Sequence, residues 1–76
     1  MIKRGTEVRV HGDIKPVYAK DLHDAAPYRW ISNRKPFDIG KVAGPIYIEG
    51  TEWILVVHVG ELEALYRPEE LSEVAA

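Results

Sequence analysis

The sequence predicts an all-β domain, a small barrel of five short strands, and three observations predict it. Polar and apolar side chains alternate over residues 6–10, which is typical of a half-buried strand. Three further strand-like stretches follow in the second half of the chain, separated by turns that contain glycine. A last short stretch comes after Pro68-Glu69-Glu70, a sequence that suits a single 3₁₀ turn.

The second strand is predicted at residues 39–48, where Gly44-Pro45 interrupts it. Proline has no amide hydrogen to donate to a strand ladder, so Pro45 predicts a bulge or a sheet edge at this point. Residues 49–51 predict a hairpin turn. The third strand is expected at residues 52–59.

Gly60-Glu61 predicts the next tight turn, since glycine readily takes the positive φ that such turns require. The fourth strand is expected at residues 62–66 and the fifth at residues 71–74. This order of strands and turns is typical of an SH3-like barrel. Its predicted core consists of Val8, Val10, Val42, Ile54, Val56, Leu62 and Leu71.

Residues 13–38 lie between the first two strands and show no sustained strand or helix period. A loop of this length is uncommon in a compact domain and is usually functional. Residues 19–26 allow a short helix that Pro27 would end. The segment is too rich in aromatic and aliphatic residues for a disordered linker, so we expect it to fold back over the barrel.

The third strand is apolar on both faces. Trp53 and Leu55 lie on one face, and Ile54 and Val56 lie on the other. A central strand of a small antiparallel sheet normally has one solvated face. Either residues 13–38 or another chain must therefore cover the second face, and we expect the former.

The chain has 76 residues, which predicts a single domain over residues 1–76. It contains no cysteine, which excludes disulfides and thiolate metal sites. No apolar run follows the N-terminal residues, and the longest one, residues 53–57, is too short to span a bilayer. These features predict a cytoplasmic protein that does not insert into membranes.

The net charge of −2 is unevenly distributed along the chain. Residues 1–41 hold nine Lys or Arg and five Asp or Glu, a net charge of +4, and residues 42–76 hold one and seven, a net charge of −6. Such asymmetry marks an interaction surface in some proteins. The alternative is that the fold mixes the two halves in space and averages the charge.

No pattern for catalysis or metal binding stands out. The two serines, Ser32 and Ser72, have no local motif around them, and no nucleophile is paired with a base. Asp21, His23 and Asp24 are possible metal ligands, but their clustering is more typical of a solvated loop or of a helix start. We therefore expect no enzymatic activity, no metal and no cofactor.

Residues 28–37 interleave aromatic and cationic side chains. We expect the partner-binding residues to be Tyr28, Arg29, Trp30, Arg34 and Lys35. Trp, Tyr and Arg dominate the energetic centres of protein interfaces, which favours a protein partner. Aromatic stacking combined with cations also suits single-stranded nucleic acid, although the acidic overall balance is unlike that of most nucleic-acid-binding domains. A third alternative is that the aromatic residues belong to the core.

Three stretches, residues 3–10, 36–42 and 68–74, resemble the SH3-like barrels known as electron transport accessory proteins. This group includes the photosystem I reaction-centre subunit IV, the variable chain of ferredoxin–thioredoxin reductase, and a small ferredoxin-side subunit of the cyanobacterial NDH complex. The stretches cover about a third of the chain. Residues 13–38 depart from subunit IV, which is shorter there.

The resemblance implies a non-catalytic accessory protein without a cofactor, which braces a redox protein or docks ferredoxin. We therefore expect an interaction module that binds a protein partner, with a redox complex as one such partner. The alternative is a nucleic-acid-binding barrel of the ribosomal or transcription-factor type.

Overall fold

A computed structural model describes residues 2–18 and 27–74 and confirms the all-β fold class. The elements are β1 (Glu7–Val10), α1 (Arg29–Ser32), β2 (Ile39–Ile48), β3 (Thr51–His58), β4 (Leu62–Tyr66), a 3₁₀ turn (Pro68–Glu70) and β5 (Leu71–Glu73). All five predicted strands are present, and every bound lies within one residue of the prediction.

The strands form one antiparallel sheet in the order β4-β3-β2-β1-β5. The first strand therefore lies between the second and the last, and β4 and β5 are the two edges. No ladder joins these edges within the described ranges, so closure into a barrel stays a prediction.

The helix α1 lies in the long segment between β1 and β2. The helix predicted at residues 19–26 falls outside the described residues, and α1 begins two residues after Pro27. It is four residues long. No helix within residues 2–18 and 27–74 is long and apolar enough to cross a membrane.

The turn between β2 and β3 is a two-residue turn at Glu49-Gly50, with φ values of 48° and 81°. Positive φ at both central residues is the type I′ geometry, whose twist matches that of the flanking strands. The predicted bulge is also present: the register of β2 against β3 shifts between Val42 and Gly44, immediately before Pro45. The predicted positive φ at Gly60 is observed as well, at 86°.

Buried apolar side chains form two clusters, one on each face of the sheet. The first contains Val8, Val10, Val42, Ile54, Val56, Ala64, Tyr66 and Leu71. Six of the seven predicted core residues belong to it. The prediction was wrong for Leu62, which is 36% exposed. Leu62 is the first residue of β4 and adjoins the turn, so fewer neighbours cover it than cover Ala64.

The second cluster contains Ile48, Trp53, Leu55 and Leu65. Three residues of the segment between β1 and β2 pack against it: Val17, Trp30 and Ile31. This confirms that the chain itself supplies cover for the second face of β3. The same segment also reaches β4, because the Asn33 side-chain amide donates a hydrogen bond to the Glu63 carbonyl at 3.0 Å.

Candidate functional site

The candidate site is the described part of the segment between β1 and β2, residues 11–18 and 27–38. The structure divides its predicted binding residues into two groups. Tyr28, Arg29 and Lys35 are exposed, with Tyr28 at 72%. Trp30 and Arg34 are turned towards the domain. Trp30 turns inward because the apolar face of β3 would otherwise be exposed at this point. Burial of the large apolar indole surface against that face is favourable.

Arg34 is held by a buried ion pair. Its Nη2 atom lies 2.6 Å from Oε2 of Glu70, and each of the two side chains is 6% exposed. The guanidinium also lies over the Tyr66 ring, 5.4 Å from its centroid. Arg34 therefore has little side-chain surface left for a partner, and we leave it out of the proposed binding surface.

Glu70 fastens the segment to the end of the sheet. Besides Arg34, its carboxylate accepts the Lys15 amide at 2.9 Å and the Arg67 amide at 2.8 Å. One buried carboxylate thus joins two distant points of the segment to the 3₁₀ turn. Sequence analysis missed this role. A glutamate at the third residue of a helix is a known capping signal, because its side chain can accept the amide of the N-cap residue, here Arg67.

A second polar network lies beneath residues 35–39. The Tyr66 hydroxyl is 2.7 Å from the Lys35 amide nitrogen and 2.6 Å from His58 Nε2. His58 Nδ1 is 3.0 Å from the Ile39 carbonyl oxygen, which only accepts. This network therefore assigns the hydrogen to Nδ1, so that the tyrosine hydroxyl accepts from Lys35 and donates to Nε2.

The His58–Tyr66 pair is poorly suited to proton transfer with a substrate. Both residues are buried, and both ring nitrogens of His58 are engaged in hydrogen bonds. Burial raises the pKa of Tyr66 above its ordinary value, against smaller lowering effects from the Lys35 amide and from Arg34. The hydroxyl is therefore protonated at neutral pH, and the network acts as a structural tie between the segment and the sheet.

The structure gives no metal-ligand cluster within residues 2–18 and 27–74. Asp21, His23 and Asp24, the possible ligands in the sequence, lie outside the described residues.

Sequence analysis did not select two further exposed aromatic residues of the segment, Tyr18 at 59% and Phe37. Phe37 is 71% exposed and has a φ of 68°, in the left-handed region that disfavours a phenylalanine. Its amide donates to the Val10 carbonyl at 3.0 Å. Sequence analysis missed Phe37 because an aromatic residue in a long segment is equally compatible with the core.

Comparisons of the chain with protein-family models, curated proteins and solved structures found no match. The contacts within the chain itself therefore carry the interpretation of the site.

The fold pairs cations from the first half of the chain with carboxylates from the second. Arg34 pairs with Glu70, and Arg29 lies 3.6 Å from Glu63 in an exposed ion pair. The charge asymmetry between the halves is thus partly averaged in space. Two of the three cations in the aromatic and basic stretch are engaged within the domain.

Proposed function

We propose that this chain is a non-catalytic accessory module that binds a protein partner through the exposed aromatic side chains of the segment between β1 and β2. The observation that carries the proposal is the exposure of Tyr28 and Phe37, 72% and 71%, among described residues that are bound to the sheet at several points. Exposed Arg29 directly follows Tyr28 in the sequence, and exposed Lys35 lies two residues before Phe37.

The anchoring of the segment favours binding. Buried contacts hold it near both aromatic residues: Trp30 packs into the second cluster, and the Arg34–Glu70 ion pair fixes the turn that follows α1. Side chains that are already positioned lose less conformational entropy when a partner binds. Large aromatic side chains are also the commonest energetic centres of protein interfaces.

The backbone of Phe37 supports the same interpretation. A non-glycine residue in the left-handed region costs about 1–3 kcal/mol, and such residues concentrate at functional sites. Phe37 recovers little of this cost by burial, because the residue is 71% exposed. A role outside the folding of the domain would account for keeping a phenylalanine at this position.

The resemblance to electron transport accessory proteins makes redox proteins the first partners to test. The alternative, binding of nucleic acid, has less support because Arg29 and Arg34 are both paired with carboxylates and the net charge is −2. Binding to single-stranded RNA or DNA that weakens steeply with salt would favour the alternative.

Site-specific photocrosslinking tests the proposal. A photoreactive phenylalanine analogue is placed at position 28 or 37, and at position 47 as a control. Tyr47 is 66% exposed and aromatic, but it lies on β2 outside the segment. We expect a discrete protein adduct from positions 28 and 37 and none from position 47.

Alanine variants then measure affinity for the captured protein. Y28A and F37A should each weaken binding about tenfold or more, as expected for interface centres, whereas Y47A should not. Adducts from all three positions alike, or from none, would show that the segment is not a binding surface.

A further inference from the structure

A cleft of about 200 Å³ opens beside the exposed ring of Phe37. We call it the Phe37 cleft, and its lining residues are Arg9, Val10, His11, Gly12, Phe37 and Ser72. Residues of the segment thus meet the outward face of β1 and β5 here. Val8 and Val10 are buried, so the Arg9 side chain projects from the other face of β1. Arg9 pairs with Ser72 of β5 in the strand register.

The charge of the Phe37 cleft is cationic. Arg9 is exposed, its one hydrogen bond to a described residue runs from Nη1 to the Phe37 carbonyl at 3.5 Å, and it has no ion pair within that part of the chain. His11 Nε2 lies 2.9 Å from the Ser72 hydroxyl. Among residues 2–18 and 27–74, no carboxylate lines the cleft.

Asp13, Asp38 and Glu73 each adjoin a lining residue in the sequence, and none of the three is among the described residues that line the cleft. The carboxylate of Asp38 is engaged elsewhere. Its Oδ1 accepts the Ile39 amide at 2.9 Å, and its Oδ2 lies 3.4 Å from His58 Nδ1. It lines a separate cleft together with Glu7 and Lys41. Arg9 therefore faces a cleft in which the described part of the chain places no carboxylate.

The apolar side of the cleft is the Phe37 ring lying against the backbone of Gly12. A Cβ atom at Gly12 would collide with this ring, so glycine is what allows the ring to lie there. The result is an aromatic surface next to a guanidinium that has no ion pair with any described residue. Such a pair suits a peptide in which an apolar side chain adjoins a carboxylate.

We infer that the Phe37 cleft binds an acidic side chain of the protein partner, with the Arg9 guanidinium taking the carboxylate and the Phe37 ring contacting an adjacent apolar side chain. The inference rests on the proposed function and specifies the chemistry of the partner.

Peptide titration followed by NMR of the ¹⁵N-labelled full chain tests the inference. The probe is a blocked peptide that carries one glutamate between two leucines in a glycine and serine background, and the control peptide has glutamine at the same place. The glutamate peptide should shift the amide signals of Arg9, Gly12 and Phe37. We expect it to bind about tenfold more tightly than the glutamine peptide, by an amount that shrinks as salt is added.

Two variants separate the charge from the ring. R9Q should lower the affinity for the glutamate peptide to that for the glutamine peptide, whereas K41Q, which removes an exposed cation of the neighbouring cleft, should leave it unchanged. G12A introduces no charge and is compatible with the backbone, since the φ of Gly12 lies outside the left-handed region. It should displace the Phe37 ring and weaken both peptides.

Three results would overturn the inference: equal affinities for the two peptides, signal shifts confined to residues outside the cleft, or no shift at millimolar peptide. Failure here is distinguishable from failure of the proposed function. A protein crosslinked at positions 28 and 37 whose affinity falls with Y28A and F37A but not with R9Q would refute carboxylate binding in the Phe37 cleft and leave the interaction module standing.

Discussion

The two faces of β3 are both apolar, but they are covered in different ways. The face of Ile54 and Val56 is covered mainly by other strands of the same sheet. The face of Trp53 and Leu55 is covered in part by Trp30 and its neighbours, which belong to the segment between β1 and β2. The segment is therefore part of the core as well as the candidate binding surface, so binding and stability depend on different residues of the same segment.

The largest expected effect comes from removing the tie between the segment and the sheet. R34M replaces the arginine by an unbranched apolar side chain, which preserves part of the packing. The Glu70 carboxylate then stays buried without its cation. We expect the free energy of unfolding to fall by about 3–5 kcal/mol, measured by urea denaturation.

The matched control is R29M in the same segment. Arg29 and Glu63 are 65% and 36% exposed at their side chains, so solvent screens their ion pair, and its loss should cost about 0–1 kcal/mol. Equal losses for R29M and R34M would show that the buried pair does not hold the segment.

Substitutions on the two sides of the second cluster should lower the free energy of unfolding by smaller and unequal amounts. L65A removes a buried side chain from the sheet and should cost about 3 kcal/mol. W30A removes partly buried cover from the segment and should cost about 2 kcal/mol. Hydrogen exchange should quicken at β3 and β4 in W30A before global unfolding. A W30A variant as stable as the parent would mean that the second face needs no cover.

The Tyr66 network predicts a loss of stability at alkaline pH. The folded protein holds the Tyr66 proton more tightly than the unfolded chain, whose tyrosine titrates near pH 10.0. Above that pH the unfolded chain releases the proton first, so the free energy of unfolding falls as pH rises through the folded pKa. Below it, this contribution is constant.

Y66F should remove that alkaline component, as measured by urea midpoints on both sides of pH 10.0. At neutral pH the variant should cost about 1–3 kcal/mol, because His58 Nε2 and the Lys35 amide lose their partner. An unchanged slope of stability with pH in Y66F would assign the alkaline loss to other groups.

The smallest expected effect has the opposite sign. F37N replaces a strained phenylalanine by a residue that tolerates the left-handed region, and it should raise the free energy of unfolding by about 1 kcal/mol. The same variant should lose partner binding. The control is F37V, whose β-branched side chain fits this region poorly and should lower stability. If F37N is more stable than the parent and still binds the partner, the backbone strain at Phe37 does not serve binding.

The strands were predictable because local signals determine them: alternation in β1, Pro45 at the bulge, and Glu49-Gly50 at the hairpin turn. Long-range partners determine the site. The sequence shows Arg34 as one cation among three, and only its meeting with Glu70, 36 positions away, makes it structural. Likewise, no local pattern distinguishes Phe37, which is exposed, from Trp30, which is partly buried.

The hydrogen bond from Asn33 to the Glu63 carbonyl has a consequence for how the protein behaves at high concentration. It occupies an acceptor on an edge strand, where free backbone groups would otherwise pair with a strand of another molecule. Release of the segment would free that acceptor and the apolar face of β3 in one step. Conditions that loosen the segment should therefore favour aggregation through β4 before the sheet itself unfolds.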